Sequence, residues 1–518
     1  MSTSPSPTSP ADLVVVGAGA AGAVIASRVT ERADREVLLL EAGPDYIDTG
    51  EPGRLPPDLV DGGRNSWRQH DWGYRHRPTP SQILFVFPRG RVVGGSSAVN
   101  TCIALRPKPY DLDEWAALGL SDWSWERCLP YFRRLEDDRD FDTPWHGRGG
   151  PVPIRRHPPE ELVTFQAAFV EAARALGYPA LTDTNDPALD GGVGPHAMNK
   201  IDGVRMSAAR CYLTPAVRER PGLHLSARTV VRRVVFHNQR VEAVEIERDG
   251  RIERIATRKV VLSAGAIATP GILLRSGVGP RDEVARLGVE LVADVPAVGA
   301  KLLDHPGAAL FLLPRGRFCR TTDPLIQTVL RYTSMDSPHP LDMLVQPGSY
   351  VPIHPRLNLP LFSIMCCVGK PRGHGTLRFL SADAKAGPHI DSKLLVNRDD
   401  HAKAVEAMML ARELAGTAPI RRLARPLWPG ARTLADRARI GAWIHRSCDS
   451  GYHPCGTVPM GPEGDLAAAV DGRGRVRGVD GLIVADASLM PTIPSVNTHL
   501  TTLMIGERFG EWLRDGAL

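Results

Sequence analysis

ADLVVVGAGAAGAVIASRVTERADREVLLLEAG, residues 11–43, decides the fold of this chain. Leu13–Val16 is a continuous apolar run, as a strand buried on both faces requires. Gly17, Gly19 and Gly22 follow, and residues 20–32 suit a helix that sets small side chains against a sheet. Val37–Leu40 reads as a second buried strand with Glu41 at its C-terminal end. Gly17 permits the tight turn, Gly19 lets backbone approach a pyrophosphate, and Gly22 lets the helix lie close to the strand. The helix N-terminus offers unpaired N–H groups and partial positive charge to phosphates. Glu41 is placed to accept hydrogen bonds from ribose hydroxyls. Strand, glycines, helix, strand and acid in this order predict an α/β, doubly wound domain that binds NAD or FAD.

The bulk numbers bound the rest. With 518 residues, 43% hydrophobic and 23% charged, the chain has globular composition and room for two domains or one large one. No apolar run approaches the roughly eighteen residues of a membrane span, so no integral membrane segment is expected. The opening MSTSPSPTSP, residues 1–10, lacks a basic start and an apolar stretch; it reads as a disordered tail and points to a cytoplasmic location. Eight cysteines are scattered without a CxxC pair, which suggests neither a disulfide framework nor a zinc site. A net charge of +5 is mild for this length. The densest basic stretch, residues 421–446, lacks regularly spaced stacking aromatics and reads as solvated helix faces, so no nucleic acid partner is expected.

Further motifs narrow the cofactor. In PRGRVVGGSSAVN (residues 88–100) paired glycines let backbone approach a flat ring, and Ser96, Ser97 and Asn100 can serve a polar ring edge. SAGAIATPGILLRSGVG (263–279), GAKLLDHP (299–306), GYHPCGTVPMGP (451–462) and VADASLMPTIPSVN (484–497) stand downstream. Together with the N-terminal fingerprint they resemble the glucose–methanol–choline (GMC) oxidoreductases, a family of FAD-dependent enzymes. NTCIALRPKPYDLDEWAALG (100–119) looks most like the choline oxidase and choline dehydrogenase branch. The resemblance covers nearly the whole chain and does not specify a substrate. It implies that residues 93–100 contact the isoalloxazine and pyrophosphate, with Val93, Gly95, Ser96 and Asn100 among them and Arg91 just ahead. It also implies that Ala264 and Gly265 lie at the adenine side, where Val230 touches adenine or is an ordinary core valine. Asp486 and Ala487 would lie along the flavin phosphates, unless Asp486 only caps the following turn. Some choline-oxidising relatives tether FAD through a histidine where this chain has Val99, so non-covalent FAD is expected. Lys301 stands where relatives usually carry asparagine, and no role can be read for it.

His453, in GYHPCGTVPMGP, has three readings. A metal ligand needs three or four partners, and Cys455 is the sole nearby candidate, so no metal site is expected. A packed core histidine is the second reading. The third comes from the resemblance, which implies that the histidine of HPxGT is the active-site base. Oxidising an alcohol removes a hydroxyl proton and a hydride; the flavin accepts the hydride, and a neutral imidazole takes the proton. The family's second active-site residue maps to Asn497. His499, two residues on, would share its side of an extended segment and could take the role. The LTTLMIGER that follows favours Asn497, and an amide can orient an oxygen but cannot act as base.

The motifs fall at 11–155, 195–305 and 448–518, which implies a discontinuous, Rossmann-like FAD-binding domain. Residues 156–194 and 306–447 would form a substrate-binding domain, whose antiparallel sheet roofs the flavin. GTLRFLSADAKAGPHIDSKLL (375–395) alternates as strands of such a sheet should. The expected partners are a small-molecule alcohol and an electron acceptor, either oxygen or a quinone or other carrier. A choline-like cation would call for an aromatic cage or buried carboxylate, and aromatic content is 6%; a non-polar or aromatic primary alcohol is equally compatible. The rival readings are an FAD-containing lyase that cleaves cyanohydrins, as hydroxynitrile lyases do, and a non-enzymatic FAD-binding protein.

Overall fold

The computed structural model describes residues 12–51, 53–66, 69–354 and 357–518. The expected disordered tail, residues 1–10, lies outside the described residues. Four consecutive buried side chains form β1 (Leu13–Val16), and burying each contributes ~1.5–3 kcal/mol. A strand so apolar on both faces must be central, and β1 pairs in parallel with β2 (Val37–Leu40) on one side. On the other side lies β4 (Val260–Leu262). β3 (Leu223–Ser226) extends the sheet beyond β2, and β5 (Leu482–Val484) extends it beyond β4. The order is β3-β2-β1-β4-β5, all parallel. The chain leaves β1 in one direction for β2 and β3 and resumes on the other side with β4. That reversal opens a crevice at the C-terminal strand ends, where doubly wound sheets bind ligands.

Three helices flank the crevice: α1 (Ala20–Val29), α2 (Gly265–Arg275) and α3 (His499–Arg514). Gly22 sets the spacing of α1, since a Cβ there would stand 1.9 Å from the Gly17 carbonyl oxygen. Gly506 and Gly510 do the same for α3 against α1, where added Cβ atoms would meet Val24 and Arg28 side chains at 2.8 and 2.7 Å.

A second, antiparallel sheet covers the crevice. Its strands run in the order Ala424–Trp428, Pro306–Pro314, Phe362–Val368, Met343–Gly348, Thr328–Tyr332, Gly192–Pro195. Period two divides its faces. Ala308, Leu310, Phe362, Ile364, Met343 and Val345 point outward into a core shared with the helices Thr164–Ala175 and Arg398–Gly416. Phe165 stacks on Phe362 with ring centroids 4.1 Å apart. The alternate residues, among them Ala309, Phe311, Ser363, Met365 and Gln346, point down over the crevice.

One expectation is corrected. Residues 375–395 do form an antiparallel pair, Thr376–Arg378 with His389–Asp391, but not in the roof. The second strand joins Arg75–Arg77 in parallel, and Phe85–Val86 completes a separate four-stranded sheet. Alternation fixes that a segment is a strand with one buried face; it does not name the neighbour. No described helix is long and apolar enough to cross a membrane.

Candidate active site

A cavity of about 730 Å3 runs from the β1–α1 turn to the underside of the roof. At its inner end the Ala18 peptide joins three of the motifs. Its N–H donates to Glu41 Oε2 at 3.0 Å, and its carbonyl accepts from Gly94 N at 2.7 Å. Glu41 Oε1 accepts from Gly43 N at 2.8 Å. Burial pushes the Glu41 carboxyl up to about 7 against these two backbone donors. Each of its oxygens keeps a lone pair for a ribose hydroxyl.

Gly19 and Gly95 face each other across the turn. A Cβ on Gly95 would lie 2.8 Å from Gly19 Cα, so position 95 must be glycine for this approach. Gly265 opens α2 at φ +85, and a Cβ there would meet empty space. Asp486 caps the Ala487–Leu489 turn through Ser488 N at 2.7 Å. It also accepts from Gly265 N (2.8 Å) and Thr269 Oγ1 (2.6 Å), which ties that turn to the start of α2.

Of the residues singled out in the sequence, Gly17, Gly19, Glu41, Gly95, Ser96, Asn100, Val230, Ala264, Gly265, Asp486, Ala487, His453 and Asn497 all line this cavity. Gly22, Arg91 and Val93 do not. Gly22 acts in packing, as argued above. Arg91 is exposed, with its guanidinium 4.9 Å from the centroid of the Trp72 ring. Val93 is buried in the main core and donates its N–H to the Pro44 carbonyl. Arg89, two residues before Arg91, does reach the cavity and donates to the Tyr452 carbonyl at 2.8 Å. Phe379, Ala386 and Pro388 close the end beside Val230, so the segment that missed the roof forms a wall there.

The residues fit a flavin dinucleotide. The two-glycine cradle admits pyrophosphate, Glu41 has free lone pairs for ribose, and the N-termini of α1 and α2 converge on the same space. His499 also lines the cavity, and its buried Nε2 has no hydrogen-bond partner among the described residues. Burial pushes this imidazole down to about 4.

At the far end His453 is half-buried. Its Nε2 lies 2.8 Å from Asn497 Nδ2, and its Nδ1 lies 2.9 Å from Nδ1 of His305. His305 Nε2 in turn lies 2.9 Å from the Pro494 carbonyl oxygen. These contacts fix every proton. A carbonyl only accepts, so His305 carries its proton on Nε2. Burial pushes His305 down to about 4, so the ring is neutral and its Nδ1 is bare. His453 must therefore donate from Nδ1, which leaves its Nε2 as a lone pair met by the Asn497 amide N–H. Burial, then repulsion from the His305 ring wherever that ring is protonated and from the Arg89 guanidinium, holds His453 well below the ordinary histidine range. It is His453 and Asn497 that meet; His499 makes no hydrogen bond to the pair among the described residues.

The segment carrying Asn497 is held carbonyl by carbonyl. Lys301 donates to Pro491 (3.1 Å), Trp115 to Thr492 (3.2 Å), Lys370 to Ile493 (2.8 Å) and His305 to Pro494 (2.9 Å). Lys301, without a role in the sequence, is one of these clamps. Asp304 holds the other partner: its Oδ1 accepts from the backbone N–H of His305 and of His453, both at 2.8 Å. Asp304, His305, Arg89 and Lys370 were missed. The signal for the first two was the DHP of GAKLLDHP, whose partners lie about 150 residues away.

Outside the cavity Glu136, Asp138 and His146 converge closely enough to suggest a metal. They belong instead to a balanced ion network with Arg106, Arg156 and Asp183. His146 Nδ1 is 3.0 Å from Asp138 and its Nε2 2.9 Å from Asp183.

The chain matches the GMC oxidoreductase family over residues 11–307 and again over 371–506. It is 35% identical to a 5-(hydroxymethyl)furfural oxidase of Methylovorus sp. (strain MP688), over 96% of this chain and 98% of that protein. It is 32% identical to an oxygen-dependent choline dehydrogenase of Sinorhizobium medicae (strain WSM419), over 96% and 94%. The crystal structure of pyridoxine 4-oxidase from Mesorbium loti superposes with a TM-score of 0.89 at 29% identity, covering 97% of this chain and 98% of that one.

Proposed function

The chain belongs to the GMC oxidoreductase family and is an FAD-dependent enzyme that oxidises alcohols, and we propose that His453 and Asn497 carry the proton chemistry. Bound FAD supplies the two-electron acceptor that the side chains lack. The observation that supports the assignment is the bare Nε2 of His453, imposed from the Pro494 carbonyl through His305. An alcohol entering between His453 and Asn497 donates its hydroxyl hydrogen to that nitrogen. The Asn497 amide N–H then turns to the alcohol oxygen and holds it. As the proton arrives, His453 becomes an imidazolium beside the developing alkoxide, and the Arg89 guanidinium adds positive potential. Asp304 keeps the His453 backbone in place throughout.

Glu41, the Gly19–Gly95 cradle and the start of α2 hold the dinucleotide in this reading, without a covalent tether. Val99 lines the cavity with hydrocarbon alone, which supports non-covalent FAD. Acid precipitation leaves the yellow colour in solution; a pellet that stays yellow after unfolding rejects the point. Eight free cysteines support a reducing, cytosolic setting.

The test is anaerobic mixing with a panel of alcohols, followed by flavin absorbance. Bleaching by an alcohol, lost in His453→Ala while FAD stays bound, is the expected result. Bleaching at the wild-type rate in that variant removes His453 from the role.

A further inference from the structure

The roof pocket identifies a substrate class, an inference that rests on the alcohol-oxidising reading above. Its sheet places neighbouring residues in rows across the strands: Gln346 opposite Met365 opposite Ala309, with Ser363 and Phe311 in the next row. None of these is ionisable. The carboxylates that do line the cavity are engaged elsewhere. Glu41 and Asp486 are bonded to backbone in the dinucleotide half. Asp449 pairs with His76 at 3.0 Å and Tyr452 Oη at 3.2 Å. A quaternary ammonium brought against these five roof residues would lose water and meet no counter-charge among them.

Gln346, Ser363 and Tyr350 bring polar groups to the space. Within Met343–Gly348 Gln346 alone is not buried, and it lines the cavity. Its Oε1 lies 3.1 Å from Nε2 of His196, a fully buried side chain. An amide oxygen only accepts, so His196 donates from Nε2 and fixes which way the amide points. The Gln346 amide nitrogen makes no hydrogen bond among the described residues, which leaves two N–H donors for a ligand. Tyr350 lines the same cavity at 1% exposure, and its hydroxyl has no hydrogen-bond partner among the described residues. A buried hydroxyl left unpaired is destabilising, a penalty that a bound ligand relieves. Ile103, Leu325, Ile326 and Met365 supply the apolar lining between these groups and the His453 end.

We propose that the substrate is an uncharged alcohol with an apolar body and a second oxygen, carbonyl or hydroxyl, remote from the reacting CH–OH. The second oxygen accepts from the Gln346 amide, and His196 is the positioning residue that orients it.

The test compares para-(hydroxymethyl)benzyl alcohol, benzyl alcohol and choline in anaerobic flavin reduction. The expected order of kcat/KM is the para-substituted alcohol first, benzyl alcohol next and choline last. Gln346→Leu lowers the ratio of the first two by about tenfold, the discrimination worth one buried hydrogen bond. His196→Leu lowers it likewise, and His196→Gln, which retains a donor, restores it. Calorimetric Kd values for terephthalaldehyde and benzaldehyde follow the same ratio without turnover. Choline as the best substrate, or an unchanged ratio in Gln346→Leu, overturns the proposal and leaves alcohol oxidation standing. Failure of every alcohol to bleach bound flavin overturns the underlying reading and this proposal with it.

Discussion

At the scale of single residues, the proton positions around His453 make two outcomes measurable. The base must be unprotonated to act, and burial has lowered its affinity for protons. Activity is therefore full at neutral pH, and the acid limb of kcat/KM lies below 6.5, the ordinary histidine value. His453→Ala loses at least ~10²-fold in turnover, the size expected for a general base. His305→Phe removes the acceptor of the Nδ1 proton. Its kcat falls, because nothing then holds His453 in the tautomer that leaves Nε2 bare; an unchanged kcat counts against the relay. The sequence made His453 and Asn497 legible because HPCGT and PSVN carry them in short motifs. His305 stood in view as well, but its partner lies 148 residues downstream, and no local pattern reports such a contact. Arg89 and Arg91 lie two apart in an extended stretch, so alternation could not tell which one faces the cavity.

Elements show a different division. The β1–α1–β2 unit was readable because each part has its own local requirement: apolar strand, glycine turn, small-residue helix. Two glycines of that unit separate folding from binding. Gly22→Ala drives a Cβ to 1.9 Å from a backbone oxygen, a clash that costs at least ~1–3 kcal/mol, so both melting temperature and FAD content fall. Gly19 has φ −78, ordinary for alanine, and the nearest atom to an added Cβ is Gly95 Cα at 3.9 Å. Gly19→Ala therefore folds as an apoprotein with a melting temperature near wild type, yet binds FAD more weakly because the methyl enters the cradle. Titrating both apoproteins with FAD during thermal melts distinguishes them. The strands at Thr376–Arg378 and His389–Asp391 mark the limit of such reading. Their alternation was correct, but their partner, Arg75–Arg77, lies three hundred residues earlier in a short segment with no pattern of its own.

For the whole molecule, buried histidines of opposite sign set the pH range of stability. His196 and His305 are pushed down by burial to about 3 and about 4. Between 6.5 and these values the unfolded chain binds protons that the folded one refuses, so their contribution is complete above 6.5 and is lost as pH falls toward 4. His146 is opposite. Burial opposes its charge, but Asp138, Asp183 and Glu136 together raise it to about 10. Its contribution is complete below 6.5 and is lost as pH rises toward 10. Calorimetric melts across this range trace a maximum near neutrality, and His146→Gln flattens the alkaline side. The doubly wound half could be read from one stretch because its rules are local; the roof could not, since its inward residues are set by register between distant strands. The four clamped carbonyls of residues 491–494 add a consequence for biosynthesis. Their donors come from residues 115, 301, 305 and 370, and the proposed base from 453. A nascent polypeptide halted on the ribosome short of these late segments holds no competent centre, so the enzyme cannot begin turning over metabolites until translation of almost the entire message is behind it.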